Sequence, residues 1–163
     1  IIITKKCEQS TKVQKYIFLN FCEKMWQLST KDKVSHETKE EKYMVKYETI
    51  VKKVGEMVGE GMEENLIILF NENAPEIYHE YCLLHTISEL RDEIKTGDIF
   101  CMDNEEYNIT AVGSGANKTI DELGHTTIKF DGSTEAENPG TIHVEAKDIL
   151  LNGENTVLKF IRL

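Results

Sequence analysis

From Val45 to Leu163 the chain breaks into short runs rich in Ile, Val, Thr, Tyr and Phe, separated by Gly, Asn and Asp. This rhythm restricts the fold more than any other feature of the sequence. Candidate strands are residues 47–54, 65–70, 98–102, 107–112, 126–130, 141–145 and 156–161. Turn chemistry stands between them at Asn71-Glu72-Asn73, Gly97-Asp98, Asp131-Gly132 and Pro139-Gly140. Strands this short at this spacing predict a mainly β, small barrel-like domain or sandwich. Pro75 suits the first turn of a helix, so residues 76–81 are expected to form one short helix, followed by strand through Cys82-Leu83-Leu84-His85-Thr86-Ile87.

Upstream of this pattern the sequence has a different character. Residues 1–43 carry 9 Lys+Arg against 6 Asp+Glu, whereas the remaining residues carry 10 against 23. Residues 12–28 are weakly amphipathic, and residues 29–42 are a charged run too poor in apolar side chains to pack, so a partly helical or disordered extension is expected over residues 1–43. A second explanation starts from Lys39-Glu40-Glu41-Lys42, which back-translates to a purine-rich run just ahead of Met44 and resembles a bacterial ribosome-binding site. On that reading Met44 is the start, residues 1–43 are translated upstream sequence, and the domain proper is residues 45–163.

With 163 residues and 40% hydrophobic content, the chain is sized for one good core. No run approaches the roughly 18 to 20 apolar residues of a membrane-spanning helix, so a soluble, cytoplasmic protein without membrane insertion is expected. The net charge of −10 disfavours nucleic acid and anionic membranes as partners and favours a basic protein face. Cys7, Cys22, Cys82 and Cys101 are scattered and read as reduced thiols.

Chemistry has to be sought among the five histidines, because imidazole titrates nearest neutral pH. His36 lies in the charged run. His79, Cys82 and His85 form His-x-x-Cys-x-x-His, which would align three soft donors on a helix face and suggests zinc. Only three ligands are local, however, and no second cluster closes a structural site. His125 and His143 sit at or near strand starts, where a hydrogen-bonded structural histidine is the commoner case. The sequence lacks a P-loop, a G-x-G-x-x-G after a strand, a G-x-S-x-G elbow and an H-E-x-x-H. Gly113-Ser114-Gly115 offers backbone N–H groups that could cradle an anion, but a plain hairpin turn is the commoner case and the preferred reading.

Several longer segments narrow the choice. Glu80-Tyr81-Cys82-Leu83-Leu84-His85, Ile109-Thr110-Ala111-Val112-Gly113-Ser114, residues 122–132 (ELGHTTIKFDG) and residues 135–144 (EAENPGTIHV) occur in this order. With them the chain resembles the glucitol/sorbitol-specific IIA component of the bacterial phosphoenolpyruvate-dependent sugar phosphotransferase system, over essentially all of residues 45–163. The resemblance implies a phosphocarrier that is phosphorylated on His85 by the phosphohistidine of HPr and passes the group to the sorbitol-specific IIB/IIC permease components. It implies no metal or other cofactor. Similar sequences carry a second histidine two residues later, where this chain has Ile87. The role of stabilising the phosphate therefore moves to His125, His143 or a hydroxyl such as Thr86. Transfer between two proteins leads to the expectation that His85 is open to solvent in a shallow, largely apolar depression, with Glu76, Glu80, Asp92, Glu93 and Asp103 available to attract a basic face. A non-catalytic β-barrel binding module and a zinc domain are the competing readings.

Overall fold

The computed structural model describes residues 43–163, so the expectations for residues 1–42, including those on Cys7, Cys22 and His36, lie outside the described residues. Eight strands form a closed barrel. In chain order they are β1 (Met44–Val54), β2 (Leu66–Asn71), β3 (Leu83–His85), β4 (Ile99–Met102), β5 (Glu105–Val112), β6 (Thr126–Lys129), β7 (Thr141–Val144) and β8 (Val157–Arg162). Around the barrel the order is β1-β3-β2-β6-β7-β5-β4-β8, and β8 closes on β1. The β2/β3 and β6/β7 pairs are parallel, and the other six are antiparallel.

Closure depends on β1. Its first half pairs with β8 and its second half with β3, with register breaks at Val45/Tyr47 and at Val51/Lys53. Each irregularity bends the strand and lets it serve both neighbours without leaving a free edge. Alternation along β1 then aims Tyr47, Thr49 and Val51 inward while Glu48, Ile50 and Lys52 face out. Tyr47 and Val51 join Leu69, Leu83, Phe100, Tyr107, Ile128, Ile142 and Phe160 in the barrel core. Thr49 is the polar member of that inward track and is 2% exposed.

The strands match the sequence expectation closely, but helix is more frequent than the single short one expected. The segment after Pro75 is a 3-10 turn over Glu76–Tyr78. Among the described residues two α-helices accompany it: α1 (Val58–Glu63) and α2 (Ala116–Leu123). Each is too short and too polar to announce itself by periodicity, and each holds through what it packs against. In α2, Ala116 and Ile120 are buried against the barrel, and Gly124 ends the helix in the left-handed conformation at φ 59°. Gly113-Ser114-Gly115 leads into α2 and makes no hairpin. Two of the N–H groups that could have held an anion bond to main chain instead, Gly113 N to Thr141 O at 2.8 Å and Gly115 N to Pro139 O at 2.9 Å. A Cβ on Gly113 would lie 2.3 Å from Pro139 O, so this turn requires glycine for close backbone approach.

Outside the barrel the crossover between β2 and β3 folds back on the sheet. Ala74 and Cys82 pack with Phe70 and Leu84 in a second small core, and Tyr78 stacks on Phe70 at 5.9 Å. The segment between β3 and β4 is tied down by Lys46. This fully buried ammonium donates to Glu93 O at 2.6 Å and to Asp98 Oδ2 at 2.7 Å, with Asp92 at 3.4 Å. No helix among the described residues is long and apolar enough to cross a membrane.

Candidate functional site

His85 is the last residue of β3, on the same face of the strand as Leu83, and therefore points into the barrel. The expectation of an open imidazole in a shallow depression does not hold for this structure, because the ring is 0% exposed. It is closed in from three sides. Tyr47 meets it edge-on at 6.2 Å, the β1 hydroxyl of Thr49 approaches one nitrogen, and the turn after α2 covers the other.

Both nitrogens have oxygen partners. Nδ1 is 2.9 Å from Thr86 O and 3.1 Å from Thr49 Oγ1, and Nε2 is 2.8 Å from Gly124 O. Thr49 and Thr86 form a hydroxyl pair at 2.8 Å, Thr49 Oγ1 donates to Thr86 O at 2.7 Å, and Ile50 N donates to Thr86 Oγ1 at 3.2 Å. Burial lowers the His85 pKa from its ordinary value by disfavouring the charged ring. The carbonyls of Thr86 and Gly124 and the charge of Glu72 oppose that shift without reversing it. The neutral ring, which alone has a lone pair to attack with, is thus the favoured form.

The covering turn exists because residue 124 is glycine. A Cβ there would stand 2.6 Å from His85 Cε1 and 3.0 Å from Asn71 Cβ. The same residue caps α2, with its N–H bonded to Ile120 O at 2.8 Å and the next N–H, of His125, to Thr119 O at 3.0 Å. One glycine therefore ends the helix, admits the ring beneath it and accepts at Nε2.

The other histidines are not gathered at this point. His125 is next in sequence to the cap but lies on the outer side, its ring 4.8 Å from Phe70 of the outer core. Its Nδ1 donates to Leu69 O at 3.0 Å, which leaves Nε2 with the lone pair and without a hydrogen-bond partner among the described residues. His143 alternates with Ile142 and Val144, which face the core, so it is on the outer face of β7, three strands round the barrel from β3. Its Nδ1 is 2.8 Å from Asp131 Oδ1. Burial works to raise the Asp131 pKa, but the hydrogen bonds from His143 and Ser133 N and the charges of His143 and Lys129 take it below the ordinary carboxylate value. Of the helper groups expected for a phosphate, only the Thr86 hydroxyl belongs to the cluster around the ring, and it acts through Thr49.

His79, Cys82 and His85 do not converge as metal ligands. His79 Nε2 donates to Ala74 O at 2.8 Å, the Cys82 thiol is raised to about 11 by burial, and His85 faces the barrel interior. Among the described residues no group of three or more His, Cys, Asp or Glu is arranged to hold a metal ion. The acidic residues expected to recruit a partner divide in the same way. Glu76 and Glu80 are exposed, whereas Asp92 turns to Lys46 and Asp103 caps the start of β8 through Val157 N at 2.8 Å.

Sequence reasoning missed three residues here: Thr49, Gly124 and Tyr47. The hydroxyl of Tyr47 is buried beside the site without a hydrogen-bond partner among the described residues, and its pKa is pushed up to about 12 by desolvation. Thr49 left a legible trace, since it is the polar residue in the alternating track Tyr47-x-Thr49-x-Val51. Gly124 left none beyond being a glycine at the end of a polar segment.

Comparisons with known proteins agree on one group. A family model described as the glucitol/sorbitol-specific IIA component of the phosphotransferase system matches residues 46–158. The glucitol/sorbitol-specific EIIA components of Shigella flexneri and of Escherichia coli strain K12 are each 40% identical over 98 residues, which is 60% of this chain and 80% of theirs. The crystal structure of a phosphotransferase-system IIA component from Enterococcus faecalis V583 superposes with a TM-score of 0.62 at 19% identity, covering 71% of this chain and 99% of that one, and shows the same fold.

Proposed function

The chain belongs to the family of glucitol/sorbitol-specific IIA components of the sugar phosphotransferase system, and from that premise we propose that His85 is the residue that takes up the phosphoryl group. As a family member it is a phosphotransferase component: a phosphocarrier between a donor and the IIB acceptor of the same system. The donor on this reading is the phosphohistidine of HPr. The acceptor is the sorbitol-specific IIB/IIC permease, met at the cytoplasmic face during glucitol/sorbitol uptake.

The observation that carries the assignment is the pair of anchored nitrogens on His85. It alone among the imidazoles of the described residues has hydrogen-bond partners at both. A nucleophile held in this way is fixed in direction before a partner arrives. The transferring group spreads its charge over three equatorial oxygens, so the domain has to position it and offer donors.

A sealed ring is compatible with this role because the seal is local. The Gly124 cap rests on one ring contact and two helix-terminal hydrogen bonds. Lifting it would be a local opening, and an opening that costs a few kcal/mol leaves on the order of 0.1–10% of molecules open at any time. A docking partner that prefers the open form draws on that population.

A second reading is favoured by a specific observation: His125 is only partly buried, its Nδ1 is anchored on Leu69 O, and its Nε2 lone pair is free. One experiment separates the two. The purified chain is incubated with phosphoenolpyruvate, enzyme I and HPr, and acid-labile phosphate is measured in wild type, His85→Ala and His125→Ala. The expected result is loss of label in His85→Ala alone; label lost only in His125→Ala transfers the role to that residue. Absence of label in the wild type would favour a binding module without chemistry.

A further inference from the structure

We propose that Asn117 is the latch of the cap over His85: its side-chain amide holds helix α2 down on the barrel and thereby sets how often the ring is open to a phosphoryl donor. The inference rests on the reading of His85 as the acceptor and adds what controls access to it.

Helix α2 is the element that has to move. Gly124 O covers His85 Nε2, and Gly124 is tied back to the helix by its own N–H, bonded to Ile120 O at 2.8 Å, and by the next N–H, of His125, bonded to Thr119 O at 3.0 Å. Cap and helix are therefore one unit, and the cap is only as firmly seated as the helix. Little of that seating comes from packing. The helix is eight residues long, buries Ala116 and Ile120, and exposes Lys118, Asp121, Glu122 and Leu123. The Lys118–Glu122 ion pair and the bond from Thr119 Oγ1 to Ala116 O both run within the helix and fasten it to nothing else.

Asn117 supplies the attachment. Its Oδ1 accepts from Ile94 N at 2.8 Å, and its Nδ2 donates to Ile94 O at 3.0 Å. Among the described residues these are the only side-chain hydrogen bonds or ion pairs between α2 and another part of the chain. Because the amide meets Ile94 at two points, it resists tilting of the helix as well as its withdrawal. Ile94 needs the amide in turn. It is 1% exposed, and its N–H and C=O have no other hydrogen-bond partner among the described residues.

The receiving side is held by the barrel. Ile94 stands between Glu93, whose O accepts from Lys46 Nζ at 2.6 Å, and Lys95, whose N–H donates to Asp98 Oδ2 at 2.7 Å. Lys46 and Asp98 are themselves paired at 2.7 Å, so one buried ion pair fixes the residues on both sides of the latch's partner. Lifting the cap together with its helix breaks the Asn117 pair as well as the Gly124 contact on the ring. A partner that binds only the open form feels the lower open fraction as a proportional loss of apparent affinity.

The test reads opening and uptake separately in the full chain, with wild type, Asn117→Ala, Asn117→Asp and His85→Ala compared. Opening is followed with diethyl pyrocarbonate, which acylates a neutral imidazole only where it can reach it; His85 is quantified by mass spectrometry against His79 as the reference. Exchange of Val51 N–H, bonded to Thr156 O at 2.9 Å, reports opening of the barrel as a whole. Asn117→Ala should raise the His85 acylation rate on the order of ten- to thirtyfold, the worth of two hydrogen bonds, and uptake from limiting phospho-HPr in the same proportion, with His79 and Val51 unchanged. Alanine favours helix more than asparagine does, so a residue serving helix formation alone would leave His85 no more open. Asn117→Asp, which keeps the bond from Ile94 N and loses the one to Ile94 O, should fall between the two. Unchanged acylation in Asn117→Ala, a rise at His85 matched by faster Val51 exchange, or faster acylation without faster uptake would each overturn the inference. Persistent label in His85→Ala would instead remove the acceptor assignment, on which the acylation result does not depend.

Discussion

Gly124 is the residue at which backbone and site constrain each other most tightly. Alanine there meets two penalties: a left-handed backbone at φ 59° and a Cβ 2.6 Å from the His85 ring. The first alone costs about 1–2 kcal/mol. Gly124→Ala is expected to lower stability by at least that amount in chemical denaturation and to displace the ring, seen as a shifted His85 ring resonance; unaltered stability would mean that the cap is already loose. Titration of His85 belongs to the same scale. Its folded pKa is depressed below about 6.5, so below that pH the unfolded chain binds the proton more readily than the native one. The sign follows: stability is constant above the unfolded pKa and falls as pH drops below it. Asp131 is also depressed, but from a carboxylate value, so its contribution is lost only at much lower pH. Denaturation of wild type against His85→Gln from pH 7.5 to 5 should show the wild-type stability falling more steeply; parallel curves would contradict it.

At the scale of elements, the barrel depends on β1 and on what β1 carries. This one strand provides Thr49 to the site, Tyr47 to the core beside it and Lys46 to the segment between β3 and β4. Lys46 and Asp98 are both buried, so their ion pair is weak evidence for net stability. Removing one partner is another matter, because the other is left charged and unmatched. Lys46→Met is therefore expected to cost about 3–5 kcal/mol and to loosen the 86–98 segment. Much of that loss should be recovered in Lys46→Met with Asp98→Leu, where no charge is stranded. Equal destabilisation of the single and double variants in urea would show that the lysine serves through its packing alone.

For the molecule as a whole, barrel closure determines which histidines can cooperate. His85 faces inward on β3, while His125 and His143 lie outside, each anchored by its own Nδ1 partner. No single phosphate on His85 is flanked by both. The closed barrel thus isolates one imidazole at the end of a short strand and covers it with a helix terminus. On the proposed reading, phosphorylation of His85 is a matter of local opening at one end of the barrel. The domain carries 10 basic against 23 acidic side chains after residue 43, a balance that would attract a basic docking face.

The sequence alone determined the strands, because period-two alternation and turn residues act locally, and they locate every long strand within a few residues. It also determined the family, through motifs such as ELGHTTIKFDG around Gly124-His125 and the EYCLLH run ending in His85. Helix α2 escaped notice because its eight residues draw their stability from burial of Ala116 and Ile120. Thr86 was named because it follows His85 directly, but the other two partners of the ring were invisible for a related reason. Thr49 comes from β1 and Gly124 from the end of α2, and only closing the barrel brings that hydroxyl and that helix-cap carbonyl from distant positions within hydrogen-bond range of one ring.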